Sequence, residues 1–287
     1  MTCQTIGSLA EISDRYDAIL CDLWGCYHDG LTPYAAAVEA CRAFRAQGGL
    51  VVLLTNAPRP AASVQSFLDK IGGPRDSYDA IVSSGGACRA AIRSGSFGTK
   101  IHYVGPGRDL HMLEDLGIRS APFEQAQAIL ITGLRDDSVE TPDDYRGEIA
   151  EWRARALPVL CANPDIQVDR GNERLWCAGA IAQAYADAGG PVTWFGKPHS
   201  PIYERCYEVI AEQTGKPADK SRILAIGDGI KTDVPGGLAA GLDTLFVTGG
   251  LSSGELGPDP ETPDPDLLPD YLAAHALAPH YAIGRLR

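Results

Sequence analysis

Short apolar runs alternate with amphipathic stretches along most of this 287-residue chain, and this alternation constrains the fold most strongly. A parallel strand needs a long connection to reach its neighbour, and that connection is usually a helix packed on the sheet. The alternation therefore predicts an α/β protein with a parallel sheet. The predicted strands are Asp17–Cys21, Leu50–Thr55, Ala80–Ser83, Ile101–Val104, Ala128–Thr132, Val159–Ala162, Val192–Phe195, Ile223–Gly227 and Thr244–Val247, followed by a final short strand.

The stretches between these strands have the apolar spacing of helices. The predicted helices are Ala35–Gln47, Ala61–Ile71, Arg108–Asp115, Asp143–Ala156, Gly179–Ala188, Pro201–Thr214, Val234–Ala240 and Leu267–Leu277. Gly85 and Gly86 in the segment SSGGACRA predict a hinge, since glycine tolerates large backbone changes. The length of the chain favours two domains.

Charge and apolar content restrict the kind of partner. The formal net charge of −12 argues against nucleic acid and anionic membranes, which require a basic surface. No apolar run approaches the ~18 residues of a membrane helix, and the first residues lack the pattern of a secretory signal. We therefore expect a cytoplasmic protein. The eight cysteines form no C-x-x-C pair, and we interpret them as reduced core thiols.

Polar residues follow four of the predicted strands, at ends that a parallel sheet would bring to one edge. They are Asp22, the pair Thr55 and Asn56, Lys197, and Asp228. In isolation, each of these residues is more typical of a helix cap, a turn or a solvated surface position than of a functional site. Their combination predicts a site for an anionic ligand at this edge of the sheet.

The order strand-Asp, strand-Thr-Asn, GKP and strand-GDGIKTD resembles the haloacid-dehalogenase superfamily. The segments LLTNAP at 53–58, NPD at 163–165, CAGA at 177–180, FGKP at 195–198 and GDGIKTD at 227–233 resemble its class IIA members, the NagD or 4-nitrophenylphosphatase type. The resemblance implies a Rossmann-like, doubly wound parallel-sheet core with an inserted α/β cap domain. The implied core is residues 1–85 with 190–287, and the implied cap is residues 86–189.

The resemblance also implies roles for individual residues. Asp22 would be the nucleophile and would form an aspartyl-phosphate. Mg²⁺ would be held by the Asp22 carboxylate, the Trp24 carbonyl and Asp228. Asp233 would complete the metal set by orienting Lys197 or a water bound to the metal.

A further group of residues is predicted to bind the substrate. Hydroxyl, amide and ammonium groups near the nucleophile would contact the phosphoryl oxygens, where fixed electrostatics favour transfer. Polar residues of the cap would contact the rest of the molecule, although Arg170 is equally consistent with a surface ion pair. The predicted substrate-binding residues are Thr55, Asn56, Lys197, Asn163, Asp165 and Arg170.

Trp24 departs from the pattern of the superfamily. Its phosphatases usually carry a second aspartate there, which protonates the leaving oxygen and then deprotonates water. Tryptophan cannot transfer these protons, and losing such a group typically costs ~10²–10⁴ in rate. The candidate replacements are His28, Asp29 or groups of the substrate. His28 has a suitable ordinary pKa, but a cleft-lining position without chemistry fits the sequence as well, and Asp29 is more typical of a turn.

The sequence therefore predicts a magnesium-dependent phosphatase of small phosphorylated metabolites, of the sugar phosphate or nucleotide type. One alternative is a phosphate- and metal-binding protein with little turnover, because Trp24 replaces the usual general acid. A second alternative is a carbon–halogen hydrolase, suggested by the aromatic residue at position 24, although GDGIKTD and the type of cap argue against it. Since proteins of this type often form homodimers through the cap, we also expect a homodimer.

Overall fold

The computed structural model describes residues 3–170 and 173–287, and only the backbone of Asp169, Arg170 and Glu173. Its strands are β1 (Gln4–Thr5), β2 (Ala18–Asp22), β3 (Leu50–Thr55), β4 (Ala80–Ser83), β5 (Lys100–Val104), β6 (Arg119–Ser120), β7 (Ala128–Ile131), β8 (Val159–Cys161), β9 (Gln167–Arg170), β10 (Glu173–Trp176), β11 (Val192–Trp194), β12 (Ile223–Gly227), β13 (Asp243–Val247) and β14 (Tyr281–Ile283). Its α-helices are α1 (Ala35–Ala46), α2 (Ala61–Lys70), α3 (Ser84–Arg93), α4 (Arg146–Ala154), α5 (Ala178–Asp187), α6 (Ser200–Thr214), α7 (Asp233–Ala239) and α8 (Leu267–Ala274).

The described chain forms two compact units. The first contains the residues up to Thr55, Gln65–Val82 and Tyr203–Arg287. The second contains Asn56–Val64 and Ser83–Ile202. These bounds differ from the predicted core and cap, since β11 follows the predicted boundary at residue 190 but pairs with β8 in the second unit. The assignment of core and cap stays a prediction.

The seven-stranded sheet of the first unit has the order β1-β14-β13-β12-β2-β3-β4. Its strand pairs β2–β3, β2–β12, β12–β13 and β13–β14 are all parallel. The chain proceeds outward in one direction from β2 to β4 and in the other from β12 to β14. The order therefore reverses between β2 and β12, which is the point where open α/β sheets bind ligands. The predicted doubly wound α/β fold is confirmed.

The second unit contains a parallel five-stranded sheet of order β11-β8-β7-β5-β6. Both faces of its central strand are buried. Ala128 and Leu130 pack into one apolar cluster, whereas Ile129 and Ile131 pack into another. Because successive side chains of a strand point to opposite faces, an unbroken apolar run is what such a strand requires.

The nine long strands predicted from the sequence are present, each with ends within one residue of the prediction. Several other elements differ. The predicted helix Arg108–Asp115 is a 3-10 helix over Gly107–Leu113, and the hairpin of β9 and β10 was not predicted. Short or tightly wound elements leave little periodicity in a sequence, so this kind of error is expected.

The predicted hinge at Gly85 and Gly86 lies inside helix α3. The Ser83 hydroxyl caps this helix by accepting a hydrogen bond from the Gly86 backbone N–H at 3.0 Å. A Cβ on Gly85 would collide with the backbone of Arg59. Glycine at position 85 thus permits two backbone segments of the second unit to approach closely. The hinge stays a prediction.

The cysteines agree with their interpretation as core thiols. All eight cysteines are in the thiol form, and seven of them are buried, as expected for reduced core thiols. Among the described residues, no helix is both long and apolar enough to cross a membrane.

Candidate active site

Two carboxylates leave the first sheet side by side where its strand order reverses. Asp22 is the last residue of β2, and Asp228 directly follows β12. Cys21 and Ile226 are paired across these strands, which fixes the two acids at the same edge. Their side chains are only 7% and 2% exposed. Two carboxylates buried so close together repel each other unless a cation or a proton is present.

Glycines on both sides of Asp228 allow the backbone to approach its carboxylate. A Cβ on Gly25 or on Gly250 would collide with Asp228 Oδ2. Gly25 has a φ of +74°, which side-chain-bearing residues rarely adopt. The backbone N–H of Leu251 donates a hydrogen bond to Asp228 Oδ2 at 2.8 Å. These contacts hold the carboxylate in one position beside the turn that follows Asp22.

A third potential metal ligand lies beside the two acids. One ligand atom each of Asp22, Asp228 and Cys26 lies within 4.8 Å of the others, and all three residues are buried. Cys26 belongs to the thiols interpreted above as core residues, and its proximity to the acids was not predicted. The N–H groups of Tyr27 and His28 both donate to the carbonyl of Leu23 at 2.9 Å. This tight turn places Cys26 beside the two acids. In the sequence, the only sign of this proximity is that a cysteine follows Asp22 by four residues.

The donor set fits a divalent cation. Two carboxylates supply hard oxygen ligands and enough negative charge to attract Mg²⁺, which commonly binds through one or two carboxylates and several waters. The backbone at Gly25 and Gly250 packs against the Asp228 carboxylate and holds it in place without a bound ion. The metal roles of Asp22, Asp228 and the Trp24 carbonyl stay predictions that this arrangement accommodates.

Asp233 stabilises the loop that carries Asp228. Its Oδ2 accepts hydrogen bonds from the Gly229 N–H at 3.3 Å and from the Thr232 hydroxyl at 3.1 Å. A Cβ on Gly227 would collide with the Asp233 side chain, so the loop folds closely around it. Asp233 does not belong to the cluster of three ligands found among the described residues. Its geometry favours a positioning role.

Trp24 packs its indole over the loop that follows it and remains 47% exposed. A Cβ on Gly30 would collide with the indole ring, and Gly30 adopts a φ of +88°. The indole also meets the His28 ring edge-on, with centroids 5.4 Å apart. Trp24 therefore presents a large apolar surface next to the acidic pair.

His28 is poorly suited to replace the missing acid. Its ring is 1% exposed and contacts Phe67 at a centroid distance of 5.5 Å. Burial lowers the pKa of His28 to about 4, so the imidazole is neutral at pH 7. Its Nδ1 accepts a hydrogen bond from the Gly30 N–H at 2.9 Å, which leaves the proton on Nε2. This geometry favours packing over proton transfer, and the Asp29 carboxylate caps the turn by accepting from the N–H groups of Leu31 and Thr32.

Thr55 lies on the strand next to the one that carries Asp22. It ends β3, whose residue Leu54 pairs with Asp22 of β2, and its side chain is 6% exposed. A hydroxyl at this position lies at the same sheet edge as Asp22. The structure thus brings together Asp22, Thr55, Asp228 and Asp233 in the first unit.

A second group of predicted residues forms a network within the second unit. The Asn56 amide donates to Asp165 Oδ1 at 2.8 Å and to the Lys197 carbonyl at 3.1 Å, while Asn56 Oδ1 accepts from the Lys197 N–H at 2.7 Å. Asn163 Oδ1 accepts from the Asp165 N–H at 3.0 Å. Both amide hydrogens of Asn56 are used in this way. The network favours positioning roles for Asn56, Asn163 and Asp165 over the predicted substrate contacts.

Lys197 is buried, with 3% exposure, at the end of this network. Gly196 precedes it, and a Cβ there would come within 2.5 Å of Asn56 Oδ1. The backbone at Lys197 is therefore fixed on both sides. The predicted substrate contact of Arg170 lies outside the described residues, because only the backbone of that residue is described.

Gly25 offers a test of this arrangement. We expect Gly25→Ala to lower the free energy of unfolding and to weaken Mg²⁺ binding, because the new Cβ collides with the Asp228 carboxylate. Gly48→Ala is the matched control, since Gly48 has a φ of +90° but open space around it. It should lose only the ~1–2 kcal/mol of the left-handed conformation and bind metal normally. Urea denaturation and calorimetry measure both effects, and equal losses in the two variants would contradict the close approach.

Comparison with known proteins decides the family. The model described as haloacid dehalogenase-like hydrolase matches residues 19–119, and a second HAD-hydrolase-like model matches residues 194–275. A haloacid dehalogenase-like hydrolase from Brucella suis 1330, known from a crystal structure, is 39% identical in sequence to this chain. The two structures superpose with a TM-score of 0.84. That match covers 98% of this chain and 100% of the other. The chain belongs to the haloacid dehalogenase-like hydrolases.

Two further proteins resemble this haloacid dehalogenase-like hydrolase. D-glycerol 3-phosphate phosphatase of Mycobacterium tuberculosis is 27% identical over 249 residues, and the match spans 85% of this chain but 66% of that protein. NagD from E. coli K-12, also known from a solved structure, is 22% identical in sequence to this chain. The two structures superpose with a TM-score of 0.67, and the match covers 93% of this chain and 95% of NagD. The latter shows that the fold is that of the NagD type, as predicted.

Proposed function

We propose that this hydrolase is a metal-dependent phosphatase of small phosphorylated metabolites, acting through an aspartyl-phosphate on Asp22. The observation that carries the proposal is the buried pair of Asp22 and Asp228 at the point where the sheet order reverses. The likeness to a glycerol phosphate phosphatase supports the substrate class. A sugar phosphate or nucleotide is the finer proposal, and Mg²⁺ is the proposed cation.

Asp22 performs the covalent step in this proposal. One carboxylate oxygen forms a bond to phosphorus while the bond from phosphorus to the leaving oxygen breaks. Water then attacks the phosphorus of the aspartyl-phosphate, which releases inorganic phosphate and restores the Asp22 carboxylate. A cation bound by Asp22, the Trp24 carbonyl and Asp228 would supply positive charge that reduces repulsion between the carboxylate and the phosphate.

The remaining residues orient the phosphoryl group in this proposal. The Thr55 hydroxyl would contact a non-bridging oxygen, whose charge must be offset during transfer, and the family resemblance implies the same role for the Lys197 ammonium. Asn56 acts indirectly, since its amide holds the Lys197 backbone at 2.7 Å and 3.1 Å. Asp233 fixes the loop of Asp228.

Neither of the described residues Trp24 and His28 is an evident proton donor for the leaving oxygen. Trp24 has no suitable group, and His28 is neutral and buried with its pKa near 4. These observations also favour the second candidate function, a protein that binds phosphate and metal with little turnover. The acidic pair is better suited to metal-assisted phosphoryl transfer than to carbon–halogen hydrolysis, which we rank third.

A panel of phosphate monoesters tests the proposal. Aryl, sugar, glycerol and nucleoside phosphates would each be incubated with the protein, with and without Mg²⁺, and the release of inorganic phosphate would be measured. Metal-dependent release supports the phosphatase. Binding of phosphate without release supports the second candidate, and halide release from haloacids without metal supports the third.

Asp228 provides a direct test of the cation site. We expect Asp228→Ala to lose Mg²⁺ binding and phosphatase activity together, because it removes one carboxylate of the buried pair that it forms with Asp22. Calorimetry measures the affinity and phosphate release the activity. Asp219→Ala, which alters an exposed carboxylate elsewhere in the first unit, should leave both unchanged. Intact Mg²⁺ affinity in Asp228→Ala would mean that the cation binds elsewhere.

Two further proposals rest on the family resemblance and the composition. We propose a cytoplasmic location and a homodimer formed through the predicted cap. Cell fractionation tests the first, and light scattering at high protein concentration tests the second, where a monomer would exclude the homodimer.

A further inference from the structure

We infer that Cys26 is a ligand of the metal site, which therefore binds thiophilic divalent cations such as Zn²⁺ and Co²⁺ more tightly than Mg²⁺. The inference rests on the metal site of the proposed function and specifies its cation class. Its basis is the position of Cys26 Sγ within 4.8 Å of a carboxylate oxygen of both Asp22 and Asp228.

The backbone fixes Cys26 in this position. The turn closed by the Tyr27 and His28 N–H groups on the Leu23 carbonyl begins directly after Asp22. The Gly25 N–H donates to the His28 carbonyl at 3.0 Å, which closes the turn from the other side. Cys26 is 1% exposed in this turn, so its thiol belongs to the interior of the site. Little movement is needed for sulfur and both carboxylates to bind one ion.

The chemistry of the three donors sets the preference among cations. Mg²⁺ prefers six oxygen ligands and gains little from a thiol. Zn²⁺ and Co²⁺ accept thiolate together with carboxylate, and first-row cations of this kind bind most mixed sites more tightly than the hard cations do. Coordination replaces the S–H bond with a bond from sulfur to the cation, and the proton passes to solvent.

The other buried thiols close to Asp22 have different partners. Cys21 interacts with the neighbouring Cys41 thiol, and the Cys21 Sγ donates a hydrogen bond to the Asp22 carbonyl at 3.3 Å. Both thiols lie outside the ligand cluster of the described residues. Cys26 is thus distinguished from its neighbours by its proximity to the two carboxylates.

Cobalt provides a readout that is independent of turnover. The purified 287-residue chain, stripped of metal by chelation, would be titrated with Co²⁺ while its near-ultraviolet absorption is recorded. Coordination by sulfur produces a sulfur-to-cobalt charge-transfer band, which oxygen ligands alone do not. Competition with Zn²⁺ and with Mg²⁺ in the same cell gives the relative affinities.

We expect the wild-type chain to show the band and to prefer Zn²⁺ over Mg²⁺. Cys26→Ser should abolish the band and lower Zn²⁺ affinity by ~10-fold or more, since even residues behind the ligands commonly account for ~10–100-fold. Its Mg²⁺ affinity should be retained, because both carboxylates remain. Cys206→Ser, which alters a buried thiol of helix α6, is the matched control and should keep the band and the preference.

Two results would overturn the inference: a wild-type chain without the band, or a band and a Zn²⁺ preference that survive in Cys26→Ser. Circular dichroism and thermal unfolding establish that each variant is folded, and Cys26→Ala serves if the serine variant is not. The proposed function is tested separately by phosphate release. A band that depends on Cys26 in a chain that hydrolyses no phosphate ester would support the metal site and reject the phosphatase.

Discussion

Asp22→Asn will abolish hydrolysis of both aryl and alkyl phosphates, with a loss of ~10⁴-fold or more, as is usual when a nucleophile is removed. The amide has nearly the same shape as the carboxylate, but its oxygen is a weak nucleophile and carries no charge for a cation. Since the proposed aspartyl-phosphate would precede every product, the quality of the leaving group could not compensate. Initial rates of phosphate release with two substrates measure the effect.

Asp17→Asn is the matched control for this substitution. Asp17 lies just before β2, at the opposite end of the strand from Asp22, and pairs with Arg222 at 2.7 Å on the surface. Its loss should affect stability slightly, as expected for an exposed ion pair, and leave turnover unchanged. Activity that persists in Asp22→Asn would remove Asp22 from the role of nucleophile.

Trp24→Asp will raise the turnover of an alkyl phosphate more than that of an aryl phosphate. The new carboxyl group can protonate the leaving oxygen, a contribution typically of ~10²–10⁴-fold. Aryl leaving groups depart without much protonation and gain little. The ratio of the two kcat values, wild type against variant, measures the difference directly.

Trp24→Phe separates proton transfer from the loss of the indole. Phenylalanine keeps an aromatic ring beside Gly30 and His28 but supplies no proton, so it should not raise alkyl turnover. If the folded Trp24→Asp variant binds metal yet loses activity on both substrates, the indole itself contributes to catalysis. A conventional phosphatase mechanism would then no longer be the leading proposal.

The fold was predictable from the sequence because its strands are buried on both sides. A nearly uninterrupted apolar run such as Ala128–Thr132 is typical of a strand that is buried on both faces. Polar residues directly after such strands indicate the sheet edge at which ligands bind. Helix α3 was not predicted, because two glycines near its start are unusual in a helix. The need for glycine arises from the Arg59 backbone, which is remote in sequence from Gly85.

The positions of the two acids of the site were predictable from the sequence, but the hydrogen bonds around the site were not. The position of Asp22 and Asp228 follows from strand ends alone. The use of both Asn56 amide hydrogens by Asp165 and Lys197 depends on loops whose conformations leave no sequence pattern. The low pKa of His28 depends likewise on burial, which a single histidine in a polar segment does not reveal.

The pairing of β2 with β12 also determines when the cation site can first exist during synthesis. Asp22 leaves the ribosome early, but its partner strand follows only after the whole second unit has been translated. Early strands without their neighbours expose unpaired edges and apolar surface, which favours aggregation. Because the proposed cation needs both carboxylates, it would stabilise only the finished sheet and would not stabilise the nascent chain. Nascent chains released before β12 would therefore contain Asp22 yet lack the second carboxylate of the proposed cation site.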